Sequence, residues 1–346
     1  MQSRLTEAQN AASYEARLRG EKLESPWTAQ RLEAFTKDAL KGKHLYIVSN
    51  REPYIHIKKG SEISYIRPAS GMVTAIEPMV MATGGMWLAH GSGEADREVV
   101  DKNDTVQVPP HNPSYTLKRI WLTKAEEKGF YDGFANNGLW PLCHNAYVLP
   151  VFNVDDWHEY KEVNQKFANN ILKEIKEVKK PIIFIQDYHF TLLPKMLKKK
   201  RPDASIIVFW HIPWPSSEAF HVCPWSKEVL DGMLGADLIG FHTQLHCNNF
   251  IETVGKELEA LIDLEQFAVQ REKHLSYIKP FPIGIPFTLS ETGELSEDER
   301  HKLLDEYHIP HDSLIGVGVD RLDYTKGIVE RMRAIARATC DREREK

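Results

Sequence analysis

With 346 residues, 42% of them hydrophobic and 27% charged, the chain has the make-up of a globular protein large enough for two domains. A net charge of −5 offers no broad basic surface for nucleic acid, and no apolar run approaches the length of a membrane span, so neither partner is expected. Four scattered cysteines (Cys143, Cys223, Cys247, Cys340) make no CxxC motif or disulfide framework and the polar N-terminus lacks a signal-peptide core, which together lead us to expect reduced thiols and a cytoplasmic location.

Residues 1–43 read as a charged helical extension, since Leu5, Ala8, Ala11 and Leu18 make only a weak apolar stripe. The body then repeats one theme, a short continuous apolar run followed by a helical pattern. The runs are LYIVSN (45–50), PIIFIQD (181–187), SIIVFWH (205–211), ADLIGFH (236–242) and LIGVGVD (314–320). Continuous rather than alternating apolar residues suit strands buried on both faces. Between the first two runs Trp157, Tyr160, Val163, Phe167, Ile171 and Ile175 recur at three- and four-residue steps, the stripe of an amphipathic helix. Strands alternating with helices predict a doubly wound α/β fold with a parallel sheet. Proline-rich KPFPIGIPF (279–287) closes the first domain, 44–287; residues 288–312 read as a linker, and 313–346 as the first part of a second domain. A lone strand and helix there could not bury their own apolar faces.

Ligands of open α/β sheets bind beyond the carboxyl ends of the strands, where this sequence places Arg51, Asp187, His211 and Arg321. Each alone reads equally as a solvated loop residue, a helix cap or a core histidine; four at equivalent positions make a candidate site. Arg321 and Lys326 bracket a strand-to-helix turn, where free N–H groups and two cations suit a diphosphate. The turn has neither Walker nor GxGxxG spacing. His242 and His246 have i, i+4 spacing but no HExxH glutamate or third ligand, so no metal is expected. Gly71 allows close backbone approach to a phosphate, while Trp87, Tyr131 and Trp140, read as loop aromatics, either stack on sugar faces or fill a core.

Taken together, SNR (49–51), SGM (70–72), FYDGFANNGLWPL (130–142), QDYHFTLLP (186–194), HIPWPSSE (211–218), DLIGFHT (237–243), PIGI (282–285) and VDRLDYTKGI (319–328) resemble the trehalose-6-phosphate synthase family, in order and spacing. The resemblance implies a GT-B fold of two facing Rossmann-like domains, the first complete here and the second only begun. It implies metal-independent transfer of glucose from a nucleotide-glucose to glucose 6-phosphate with retention, without a cofactor. It leaves the base open among UDP, GDP and ADP, and leaves room for a homo-oligomer.

Carried over by position, the resemblance assigns Arg51 and Tyr131 to the acceptor phosphate, Asp187 to the acceptor sugar, and Trp87 and Trp140 to the acceptor pocket. Gly71, His211 and Ile212 fall to the donor, and Arg321 and Lys326 to its diphosphate, with His211, Arg321 and Lys326 serving catalysis. Three departures stand near these substrates: Ser70-Gly71-Met72 replaces Gly-Gly-Leu, Gln186 replaces the usual histidine, and LAHGSG follows Trp87. The family's later arginine, acidic segment and final helix have no counterpart up to Lys346, so the resemblance is to a C-terminally truncated member. Two alternatives follow: another phosphorylated acceptor, as in glucosylglycerol-phosphate synthase, or a non-catalytic sugar-phosphate-binding remnant.

Overall fold

A computed structural model describes residues 29–40, 42–68, 71–145, 148–284 and 295–344. Its centre is the apolar run LYIVS, which forms β1 (Leu45–Ser49) with all five residues buried. Leu45 and Ile47 enter one core and Tyr46 and Val48 another, because successive side chains of a strand point to opposite faces. Each face therefore needs its own layer of helices. Helix α2 (Gly71–Thr83) supplies Val73, Ile76 and Val80 to the first face. Helix α3 (Val154–Glu174) covers the second with the predicted stripe, Trp157 through Ile171 all buried. Before β1, α1 (Ala29–Leu40) lies in the expected N-terminal extension; residues 1–28 fall outside the described residues.

Among the described residues the main sheet has ten strands in the order β10-β11-β12-β9-β8-β7-β1-β4-β6-β5, and β2 (Ile55–Lys59) and β3 (Glu62–Ile66) pair apart from it. From β1 the chain proceeds to β4 (Met86–His90) and β6 (Tyr115–Ile120) on one side, with β5 (Thr105–Val108) an antiparallel edge. It then returns to the other side of β1 for β7 (Ile182–Gln186), β8 (Ser205–Phe209), β9 (Leu238–Phe241) and β12 (His274–Pro280), all parallel. β10 (Leu261–Asp263) and β11 (Ala268–Arg271) complete that edge antiparallel. The reversal leaves a crevice between the carboxyl ends of β1 and β7, the place where such sheets bind ligands.

Four features depart from the expectations. Trp87 lies within β4 and not in a loop. Tyr131 lies in a π-helix, Lys128–Leu139, that runs into the short helix Trp140–His144. The expected linker holds a helix, Glu297–Glu306, whose capping box of Ser296 and Glu299 is legible in SEDE. The run 314–320 forms no strand: nothing pairs with it among the described residues, and Leu314 and Val317 stand 89% and 85% exposed. A strand exists only through hydrogen bonds to a neighbour. Among the described residues no helix is long and apolar enough to cross a membrane.

Candidate active site

Ser49 ends β1 at the crevice, and its hydroxyl does two jobs. It accepts a hydrogen bond from the Trp87 indole N–H (2.8 Å) and donates one to the Arg51 carbonyl (2.6 Å). Trp87, expected in an acceptor pocket, is fully buried against Tyr115 and is not among the residues that line the cavity described below. Strand alternation turns it into the core. The Ser49 hydroxyl links it to the Arg51 main chain.

At the end of β7, Asp187 adopts φ +71°, a conformation that a non-glycine residue holds only when its surroundings enforce it. Its N–H donates to the Phe209 carbonyl (2.7 Å), and its carboxyl accepts from the N–H groups of Tyr188 (3.0 Å) and His211 (3.3 Å). Burial pushes its pKa up to about 7, against the pull of those two hydrogen bonds. The carboxyl therefore sits where it can take or release a proton near neutrality. Asp187 also caps the short 3-10 turn Tyr188–Phe190, so the plainer reading of this residue is met as well.

His211 follows β8. Its Nε2 is 2.9 Å from Gln186 Oε1 and its carbonyl accepts from His242 Nε2 at 3.1 Å. Burial, then the neighbouring His242, hold its pKa down to about 3, so the imidazole is neutral at physiological pH. His189 is likewise held to about 3, by burial and then by Arg51. Its ring stacks on Tyr131 (centroids 5.6 Å apart, planes 12° apart) and on Tyr188 (4.2 Å, 29°).

The π-helix that presents Tyr131 depends on its glycines. A Cβ on Gly133 would collide with the Asp156 carboxylate of α3, so the two segments approach this closely only without a side chain. The segment's own apolar residues, Phe130 and Phe134, pack on Tyr160 at 5.6 and 4.4 Å. Tyr160 in turn donates to the Tyr188 carbonyl (2.7 Å) and accepts from the Thr191 N–H (3.0 Å). One buried phenol thus ties the π-helix, α3 and the loop after β7 together.

These elements enclose a cavity of about 340 Å³ at the switch point. Eight of the ten singled-out residues line it: Arg51, Gly71, Tyr131, Trp140, Asp187, His211, Ile212 and Arg321. Its charges are two guanidiniums, from Arg51 and Arg321, and one carboxyl, from Asp187. At Gly71, the first residue of α2, a Cβ would meet open space, so packing among the described residues does not require glycine there. Lys326 does not line the cavity. It stands exposed in the turn Tyr324–Lys326, ahead of Gly327 (φ +60°), and the next helix, α4 (Ile328–Arg344), begins only after it. With 314–320 unpaired, no sheet aims this turn at the crevice; Lys326 still comes near enough to help hold the His144 pKa low, after burial, its largest cause.

Sequence reasoning missed Asn50 and His189, and noted Gln186 only as a departure near the substrates; all three line the cavity. Asn50 Oδ1, Gln186 Nε2 and both His189 ring nitrogens are buried with no hydrogen-bond partner among the described residues. Buried polar atoms are nearly always paired, so unpaired ones gathered on one wall mark where a ligand belongs. The available signal was adjacency: each lies within two residues of Arg51 or Asp187.

The sequence profile of glycosyltransferase family 20 matches residues 43–340. The chain belongs to this family. It is 33% identical over 305 residues to a trehalose-6-phosphate synthase of Mycolicibacterium gilvum, an alignment covering 84% of this chain and 58% of the relative. It matches the E. coli trehalose-6-phosphate structure bound with UDP-2-fluoro glucose at 26% identity and a TM-score of 0.66, over 84% of this chain and 60% of that one. It also matches the N-terminal domain of Candida albicans trehalose-6-phosphate phosphatase at 27% identity and a TM-score of 0.59, over 77% of this chain and 54% of that one. The chain thus spans about 60% of the length of the family 20 relatives it matches.

Proposed function

We propose that the cavity is the acceptor site of a glucosyltransferase that moves glucose from UDP-glucose to glucose 6-phosphate, giving α,α-trehalose 6-phosphate with retention. The observation that carries this reading is the convergence of Arg51, Tyr131, Trp140, Asp187 and His211 on one cavity at the switch point of a family 20 fold. A guanidinium and a phenol suit the phosphate, a carboxyl accepts from sugar hydroxyls, and aromatic faces stack on the sugar ring. On the donor side, Gly71 at the amino end of α2 offers free N–H groups to phosphate, beside His211 and Ile212. Arg321 lines that side as a cation on the diphosphate, and Lys326, once its turn is brought to the cavity, is the second; their charge stabilises the diphosphate as the glycosidic bond breaks. UDP is the base favoured, because the E. coli neighbour is bound with a UDP-sugar.

Two observations favour a second reading, sugar-phosphate binding without turnover. The fold also occurs as the N-terminal domain of a protein named for phosphatase activity, and Lys326 here stands outside the cavity. Incubation of the 346-residue chain with UDP-glucose and either glucose 6-phosphate or glycerol 3-phosphate, followed by mass spectrometry, separates the readings. Trehalose 6-phosphate supports the first. A glucosylglycerol phosphate alone would replace the acceptor. Calorimetric binding of glucose 6-phosphate with no product would establish the second.

A further inference from the structure

Gln186 closes β7 with its side chain fully buried. Behind the polar cavity lies an apolar one of about 390 Å³, and Gln186 and His211 are the two described residues that line both. They form the partition between a polar and an apolar space. The Gln186 carbonyl oxygen faces His211 Nε2 at 2.9 Å, and since a carbonyl oxygen can only accept, this contact is a hydrogen bond when Nε2 carries the proton. A neutral imidazole has one N–H. Nδ1 is then left with a lone pair.

We propose that Gln186 is a positioning residue that fixes His211 in the Nε2–H tautomer, so that His211 offers the ligand a hydrogen-bond acceptor at Nδ1. The amide does this without adding charge. A carboxylate in the same place would also hold the Nε2 proton but would draw a second proton onto the ring. The other groups facing His211 are Asp187, which accepts from its main-chain N–H, and His242, whose ring centroid lies 5.9 Å away. His189, Arg51 and Arg321 share the cavity wall. None of these hydrogen-bonds to the ring, so Gln186 alone among the described side chains decides which nitrogen is protonated. An acceptor nitrogen suits a hydroxyl and not a phosphate, whose oxygens themselves seek donors. Resting on the proposal that the cavity takes a phosphorylated sugar, this places His211 against a sugar hydroxyl and leaves the phosphates to the arginines.

Two-bond ¹⁵N–¹H spectra of the 346-residue chain without ligand read the tautomer directly, with the His211 signals assigned by their loss in His211→Asn. The expected pattern is Nε2–H from pH 5 to 8. Gln186→Leu should give a mixture of tautomers, whereas Gln186→Glu should keep Nε2–H and raise the His211 titration midpoint by roughly 1 to 3 pH units. An Nδ1–H pattern in the unsubstituted chain, or an unchanged pattern in Gln186→Leu, overturns the proposal. The unsubstituted spectrum decides even if a variant does not fold. Since no ligand is present, failure of glucosyl transfer leaves this result standing, and a wrong tautomer leaves the transfer reading standing.

Discussion

At Asp187 the pKa of about 7, against 3.8 for an ordinary aspartate, makes the site a source of pH-dependent instability. Between those values the unfolded chain ionises this carboxyl while the folded chain keeps it protonated. Stability from this residue is therefore present at low pH, falls as pH rises toward 7, and is level above it. Asp187→Asn cannot ionise but retains an oxygen for the Tyr188 and His211 N–H groups. It should be more stable than the parent by roughly 2 to 4 kcal/mol at pH 8 and equal near pH 4, measured by urea denaturation across that range. Its sugar affinity should fall. Arg51 belongs to the same scale: Arg51→Ala should weaken glucose 6-phosphate by roughly 1.5 to 3 kcal/mol in calorimetry and leave free glucose nearly unaffected, since only the phosphate loses a charge-assisted partner.

The π-helix gives a test at the scale of an element, because propensity and packing predict opposite signs. In an ordinary helix, Gly→Ala stabilises by up to about 1 kcal/mol. Gly133→Ala should instead destabilise by roughly 1 to 3 kcal/mol, because its methyl meets the Asp156 carboxylate, and should weaken acceptor binding by displacing Tyr131. Denaturation midpoints decide the sign. Tyr160→Phe should cost roughly 1 to 3 kcal/mol as well, since it leaves the buried Tyr188 carbonyl and Thr191 N–H without this partner.

For the molecule as a whole, the sheet and the segment after it should behave differently. β1 has hydrogen-bonded neighbours on both sides in β4 and β7, whereas no main-chain hydrogen bond from an N–H of 314–322 is found among the described residues. Hydrogen exchange followed by mass spectrometry should show 314–321 exchanging at nearly the unprotected rate while β1 and β7 remain protected for hours. Protection of 314–321 equal to that of β7 would mean that the run has found a strand partner after all. Ordering of Lys326 against the crevice should accompany such pairing, since the turn that carries it follows directly.

What the sequence determined by itself is whatever lies in local patterning. LYIVS, IIFIQ, SIIVF and LIGF are apolar without alternation, and a short run of that kind suits a strand buried on both faces of a sheet. The stripe from Trp157 to Ile171 fixed α3 for the same reason, and strand ends then marked Arg51, Asp187, His211 and Arg321. Tertiary structure decided the rest, because the deciding atoms come from distant parts of the chain. Whether Trp87 meets a ligand or a core depends on Ser49 and Tyr115. Whether Gln186 is a spectator or a partner depends on His211, 25 residues away. And 314–320, as apolar a run as the others, is not a strand here, because pairing is a property of two segments and no pattern within one can supply it.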